Sequence, residues 1–208
     1  MRLSDSSVRA SQIFLLVISI LILFTGLYFQ FPKVRKHTND FVLKQDLDIN
    51  EYDGYSVYSA SFDSTMTYYV NPQNDLPFSK DEIVEYTKES FEEWDKQTDK
   101  NLFEFGGITN EQGSNVVWFE NLDSDASGRC TIYTENDTIT EFEIRISNDS
   151  EKVPNVGTLK SVLLHESGHA LGLAHTDDSN QIMYPYLHED KTYLGHGDAN
   201  GVKHLYEN

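Results

Sequence analysis

The run His165-Glu166-Ser167-Gly168-His169-Ala170-Leu171-Gly172-Leu173-Ala174-His175 constrains this chain more than any other part of its 208 residues. His165 and His169 stand four apart, so on a helix both imidazoles share one face, with roots about 6 Å apart. Two rings so placed can converge on one ion. Zinc accepts neutral imidazole nitrogens at about 2.0–2.1 Å, and a catalytic site generally uses three protein ligands and a water. A straight helix cannot supply the third ligand, because its next turn points away. Gly172 can take φ > 0, end the helix and return the chain, so that His175 faces the first two rings. Glu166 lies on the adjacent flank, where a carboxylate stands beside the water and can act as general base. Three histidines and a glutamate among Val162, Leu163, Leu164, Ala170, Leu171 and Leu173 would be a costly way to build a core, since each buried polar group needs a partner.

The pattern from His165 to His175 resembles the extended zinc signature of the metzincin metallopeptidases. Ile182-Met183-Tyr184-Pro185, eight residues after His175, is similar to the tight methionine turn of that group. Thr176 after the third histidine, the Met-Tyr-Pro turn, and Asp198-Ala199-Asn200-Gly201-Val202 with Leu205-Tyr206 look most like a matrixin, the matrix-metallopeptidase family. The resemblance is specific over 158–208 and looser over 62–150. It implies that His165, His169 and His175 ligate one catalytic Zn2+. It makes Glu166 the general base and Met183 a support that does not touch the metal. It also implies a zinc-dependent metalloendopeptidase acting on a protein or peptide substrate, with the strand near Arg129–Thr134 bordering the cleft and Pro185 to Leu187 lining a pocket. The departures are specific. The single cysteine, Cys130, lies inside the domain, so no propeptide switch is visible. No histidine falls between His37 and His165, so the structural zinc of animal matrixins is not carried over. Matching loops for structural Ca2+ are missing, and the acids of Asp123–Gly128 lack EF-hand spacing. His188, His196 and His204 read as surface or packing residues.

Along the rest of the chain, Thr65–Val70 is rich in β-formers and stops at Asn71-Pro72, which predicts a strand. Ser79 and Glu82 make a capping box, and Ile83, Val84, Thr87, Phe91 and Trp94 follow at helical spacing. Short β-like runs lie at Asn115–Phe119, Cys130–Thr134 and Glu141–Ile146. A second helix is predicted from about Thr158 to Leu171 and a third from Asp198 to Tyr206. This is an α+β arrangement, and the family resemblance makes it a twisted, mostly parallel sheet with two main helices and a C-terminal helix. The zinc-peptidase domain is placed at 62–208. Residues 32–61, polar and carrying loop signals at Asn39-Asp40 and Asp53-Gly54, read as a linker.

No charge falls between Arg9 and Lys33, a run of 23 positions, long enough as a helix to cross a hydrocarbon core of about 30 Å. Residues 12–31 are therefore expected to be a transmembrane signal anchor behind a cytoplasmic tail at 1–11, with the domain outside the cytoplasm. Secretion after signal cleavage is the alternative. The net charge is −18, and −22 over residues 37–208, so the chain offers no basic face to nucleic acid. The oligomeric state is not legible. A non-catalytic zinc-containing peptide-binding surface module is the rival functional reading, and Glu166 weighs against it because a binding module has no use for a base.

Overall fold

The computed structural model describes residues 47–123, 125–186 and 191–207. Its elements run β1 (Ile49–Tyr52), β2 (Tyr55–Tyr58), β3 (Met66–Val70), α1 (Lys80–Asp95), β4 (Phe103–Ile108), β5 (Val116–Glu120), β6 (Gly128–Glu135), β7 (Thr138–Ser147), α2 (Val156–Ala170), β8 (Leu173–Ala174) and α3 (His196–Tyr206). Five strands form one sheet in the order β4-β3-β5-β7-β6. All neighbours are parallel except β6, which pairs antiparallel with β7 and forms an edge. The alternation in β7 explains its place, since Phe142, Ile144 and Ile146 are all fully buried on one face. The α+β class and the mostly parallel sheet hold among the described residues.

Helix α1 starts where its capping box requires. Glu82 Oε2 accepts the Ser79 amide at 2.8 Å and Ser79 Oγ accepts the Glu82 amide at 3.3 Å. Its inward face buries Ile83, Thr87, Phe91 and Trp94. Phe91 stacks on Tyr68 of β3 at 4.0 Å and meets Phe103 edge-on at 4.5 Å, which ties helix to sheet. Helix α2 is buried at every residue from Ser161 to Ala170. A helix enclosed on all sides runs through the core of its domain, here between α1 and strands β6 and β7.

The linker expected at 32–61 is corrected in its second part. Residues 49–58 form a β1–β2 hairpin around Asp53-Gly54, with Gly54 at φ 82°. Strand β2 then pairs with β8 in a second, three-stranded sheet. All four residues of β1 are exposed, so the strand shows no apolar alternation to read. An Asp-Gly pair signals a hairpin only when flanked by recognisable strands. Strand β4 also escapes the sequence reading, because Gly106-Gly107 breaks its pattern at a register shift against β3. The expected tail at 1–11, the anchor at 12–31 and the linker's first part lie outside the described residues. Among the described residues no helix is long and apolar enough to cross a membrane.

Candidate active site

Helix α2 stops at Leu171, and Gly172 takes φ 98°. A side chain there would also collide with the carbonyl of Ala60, so the turn excludes other residues on two counts. The returning chain brings three rings together. The Nε2 atoms are 3.1 Å apart for His165 and His169, 3.3 Å for His165 and His175, and 3.1 Å for His169 and His175. Nitrogens about 2.0–2.1 Å from a zinc ion at tetrahedral angles stand roughly 3.3–3.4 Å apart, so this triangle fits such an ion. Among the described residues these three are the group that could hold a metal.

The far side of each helical ring is fixed. His165 Nδ1 lies 2.6 Å from the Ile182 carbonyl and His169 Nδ1 lies 2.8 Å from the Leu173 carbonyl. A carbonyl can only accept, so each Nδ1 carries the hydrogen and each Nε2 presents its lone pair to the centre. Burial pushes His169 well below the ordinary histidine range, with His175 adding to the effect, and pushes His175 down to about 4. Both rings are therefore neutral near pH 7, as metal ligands must be.

Glu166 is fully buried, and neither carboxylate oxygen has a hydrogen-bond partner among the described residues. Burial raises its carboxyl to about 8, against the pull of the Cys130 amide and the Arg129 and Arg145 guanidinium groups. A buried carboxyl without donors is expensive, and a cation or a polar ligand beside it would remove that cost. Gly128 on β6 leaves room for the carboxylate itself, since a Cβ there would stand 2.6 Å from Glu166 Oε1 and from Val162.

Met183 is buried and its sulfur packs under Gly168, where any Cβ would meet both Met183 Sδ and Trp94. Three features the sequence reading missed hold this floor in place. Asp198 at the start of α3 accepts the Ile182 amide at 2.7 Å, the Met183 amide at 3.2 Å and the Gly195 amide at 2.7 Å. Gln181 Oε1 accepts the amides of Gly197 and Asp198 at 2.8 and 3.1 Å. Trp94 Nε1 reaches the Leu164 carbonyl at 2.9 Å and Ser167 Oγ at 3.0 Å, locking α2 to α1. Asp198 had a signal in its place at the head of the closing helix. Trp94 read only as an apolar helix position. Pro185 and Tyr186 follow the turn half-buried, and Leu187 and His188 lie outside the described residues.

Comparison with known proteins agrees with this geometry. Metalloendoproteinase 5-MMP of Arabidopsis thaliana is 27% identical over 159 residues, covering 68% of this chain and 43% of the relative. Metalloendoproteinase 1 of Glycine max is 41% identical over 64 residues, 29% of this chain and 21% of the relative. Metalloendoproteinase 4-MMP of Arabidopsis thaliana is 42% identical over 60 residues, 28% of this chain and 18% of the relative. The matches thus span less than half the length of each of these relatives. The matrixin family model matches residues 59–207, a span that contains the histidine triangle, the glutamate and the methionine floor. The chain belongs to the matrixin family.

Proposed function

We propose that this protein is a zinc-dependent metalloendopeptidase, with His165, His169 and His175 as the zinc ligands and Glu166 as the general base. The observation that carries the reading is the pairing of the Nε2 triangle with the buried carboxylate of Glu166 on the next helical residue, which has no hydrogen-bond partner among the described residues. Bound zinc supplies Lewis acidity toward water and toward a substrate carbonyl. Glu166 takes the proton of the attacking water and passes it to the leaving amine. The Nδ1 contacts to Ile182 and Leu173 keep His165 and His169 in the ligating tautomer throughout. Strand β6 borders the site through Gly128 and stands at one end of the five-stranded sheet among the described residues. An extended peptide can add to that edge as a further strand, which places its backbone along the cleft.

The test measures bound zinc on the purified chain, then cleavage of a mixed peptide library with and without a chelator, beside Glu166→Ala. The expected result is about one zinc per chain, chelator-sensitive cleavage, and a variant that keeps zinc and loses turnover. Equal cleavage by variant and parent would remove Glu166 from its role, and a zinc-loaded parent that binds peptides without cutting them would favour the peptide-binding module.

We also propose a single-pass anchor at 12–31 with the catalytic domain outside the cytoplasm, supported by the uncharged run between Arg9 and Lys33. Retention in alkaline-washed membranes with an intact N-terminus is expected. A soluble product that begins after the apolar run would point to secretion.

A further inference from the structure

Strand β8 has only two residues, Leu173 and Ala174, and lies between the Gly172 turn and His175. So short a segment has no strand conformation of its own. Its conformation comes from β2, where Val57 opposes Leu173 and Ser56 opposes Ala174. On the same ladder the Tyr58 amide donates to the Gly172 carbonyl at 2.8 Å. Antiparallel ladders alternate, so Ser56 and Ala174 are the next pair to exchange backbone bonds, while the Leu173 carbonyl turns away from β2. That carbonyl is the one that meets His169 Nδ1. Ala174, bonded to β2, is the residue directly before His175. Beyond His175 the chain is held again, by the Thr176 amide on the Met183 carbonyl at 3.1 Å.

The hairpin is itself clamped from the other side. The Gly54 carbonyl abuts Gly197 of α3 so closely that no Cβ fits there, and Leu173 and Tyr55 pack against Gly201, 2.6 and 3.2 Å from where its Cβ would stand. Tyr52 and Tyr55 stack at 4.9 Å, and His204 of α3 lies 4.6 Å from the Tyr52 ring, with 3.2 Å between Tyr52 Oη and His204 Nε2. The family match begins at residue 59, after the hairpin ends.

We propose that the β1–β2 hairpin is a positioning element of the metal site, which aims His175 and His169 by templating β8 from outside the family core. This rests on the reading of the three histidines as zinc ligands. The test uses the full chain with Zn2+ as probe, in competition with a chromophoric chelator. Ser56→Pro removes one ladder amide and is expected to weaken zinc binding about 10–100-fold, the loss typical of groups that orient a ligand. Ser56→Ala keeps the amide and is expected to bind as the parent does. Parent-strength binding by a folded Ser56→Pro chain would overturn the proposal. If that variant does not fold, amide exchange in the metal-free parent decides. Slow exchange at Tyr58 and Ala174 together with α2 is expected, and free exchange at Ala174 beside a protected α2 would overturn it. A parent that binds no zinc, or a His175→Ala chain that binds it equally well, would bring down the site reading and the hairpin proposal with it.

Discussion

The sheet side of the domain and the site side are equally buried but held by different forces. Around β5 and β7 the interior is Val117, Phe142, Ile144 and Ile146, all without exposed surface. Their contribution scales with area removed from water and has no direction. From α2 to α3 the interior holds His165, Glu166, Ser167, His169, Gln181 and Asp198, each nearly inaccessible. There the fold depends on directed bonds: His165, Ser167, His169, Gln181 and Asp198 each have a hydrogen-bond partner, and the carboxylate of Glu166 has none among the described residues. That carboxylate sits where chemistry is expected. A core built by area answers to the volume it fills, and a core built by hydrogen bonds answers to direction as well.

The comparison breaks most visibly at Glu166. Glu166→Gln is expected to keep the metal and lower turnover by roughly 10²–10⁴-fold, the usual worth of a general base, in a peptide-cleavage assay. The same variant tests the electrostatics of burial. In the metal-free chain the folded carboxyl keeps its proton up to about pH 8, whereas the unfolded one releases it from its ordinary value of 4.5. The Glu166 contribution to the stability of the metal-free chain therefore falls as pH rises between those values and levels off above them, while the depressed His169 and His175 act in the opposite direction below their ordinary value of 6.5. The urea midpoint of the parent minus that of Glu166→Gln is expected to fall as pH rises across that range, since the histidine contributions are common to both chains.

Trp94→Ala comes next. It opens a cavity and also strips the Leu164 carbonyl and Ser167 of a donor, so a loss of about 3–5 kcal/mol in denaturant unfolding is expected. Asp198→Ala leaves two buried amides and one half-buried amide without their acceptor and is expected to cost about 1–3 kcal/mol. It should also weaken zinc binding, because Ile182 holds His165. On the sheet side, Ile144→Val removes one methylene among apolar neighbours. A loss of about 1 kcal/mol is expected there, with zinc affinity unchanged. A change in zinc affinity from Ile144→Val, or none from Asp198→Ala, would erase the distinction between the two sides.

Much of this was legible because the signals are local. The capping box at Ser79 and Glu82, the alternation in β7 and the His-Glu-x-x-His spacing each depend on residues within a few positions. The hairpin was not legible, because β1 is exposed along its whole length and β8 is a strand only through its partner. Strand β4 was hidden by its two glycines. Trp94 showed only as an apolar helix position and Asp198 only as the head of the closing helix; their bonding roles were hidden because their partners lie 70 and 16 residues away in sequence.

By itself the sequence determined the family, the identity of the candidate ligands and base, and the elements with a clear period, because spacing along a helix or strand fixes which side chains share a face. The tertiary structure alone decided the closing of the triangle to 3.1–3.3 Å, the isolation of the Glu166 carboxylate and the pairing of β2 with β8. Those depend on contacts between segments far apart in the chain, and no local pattern encodes the distance between them.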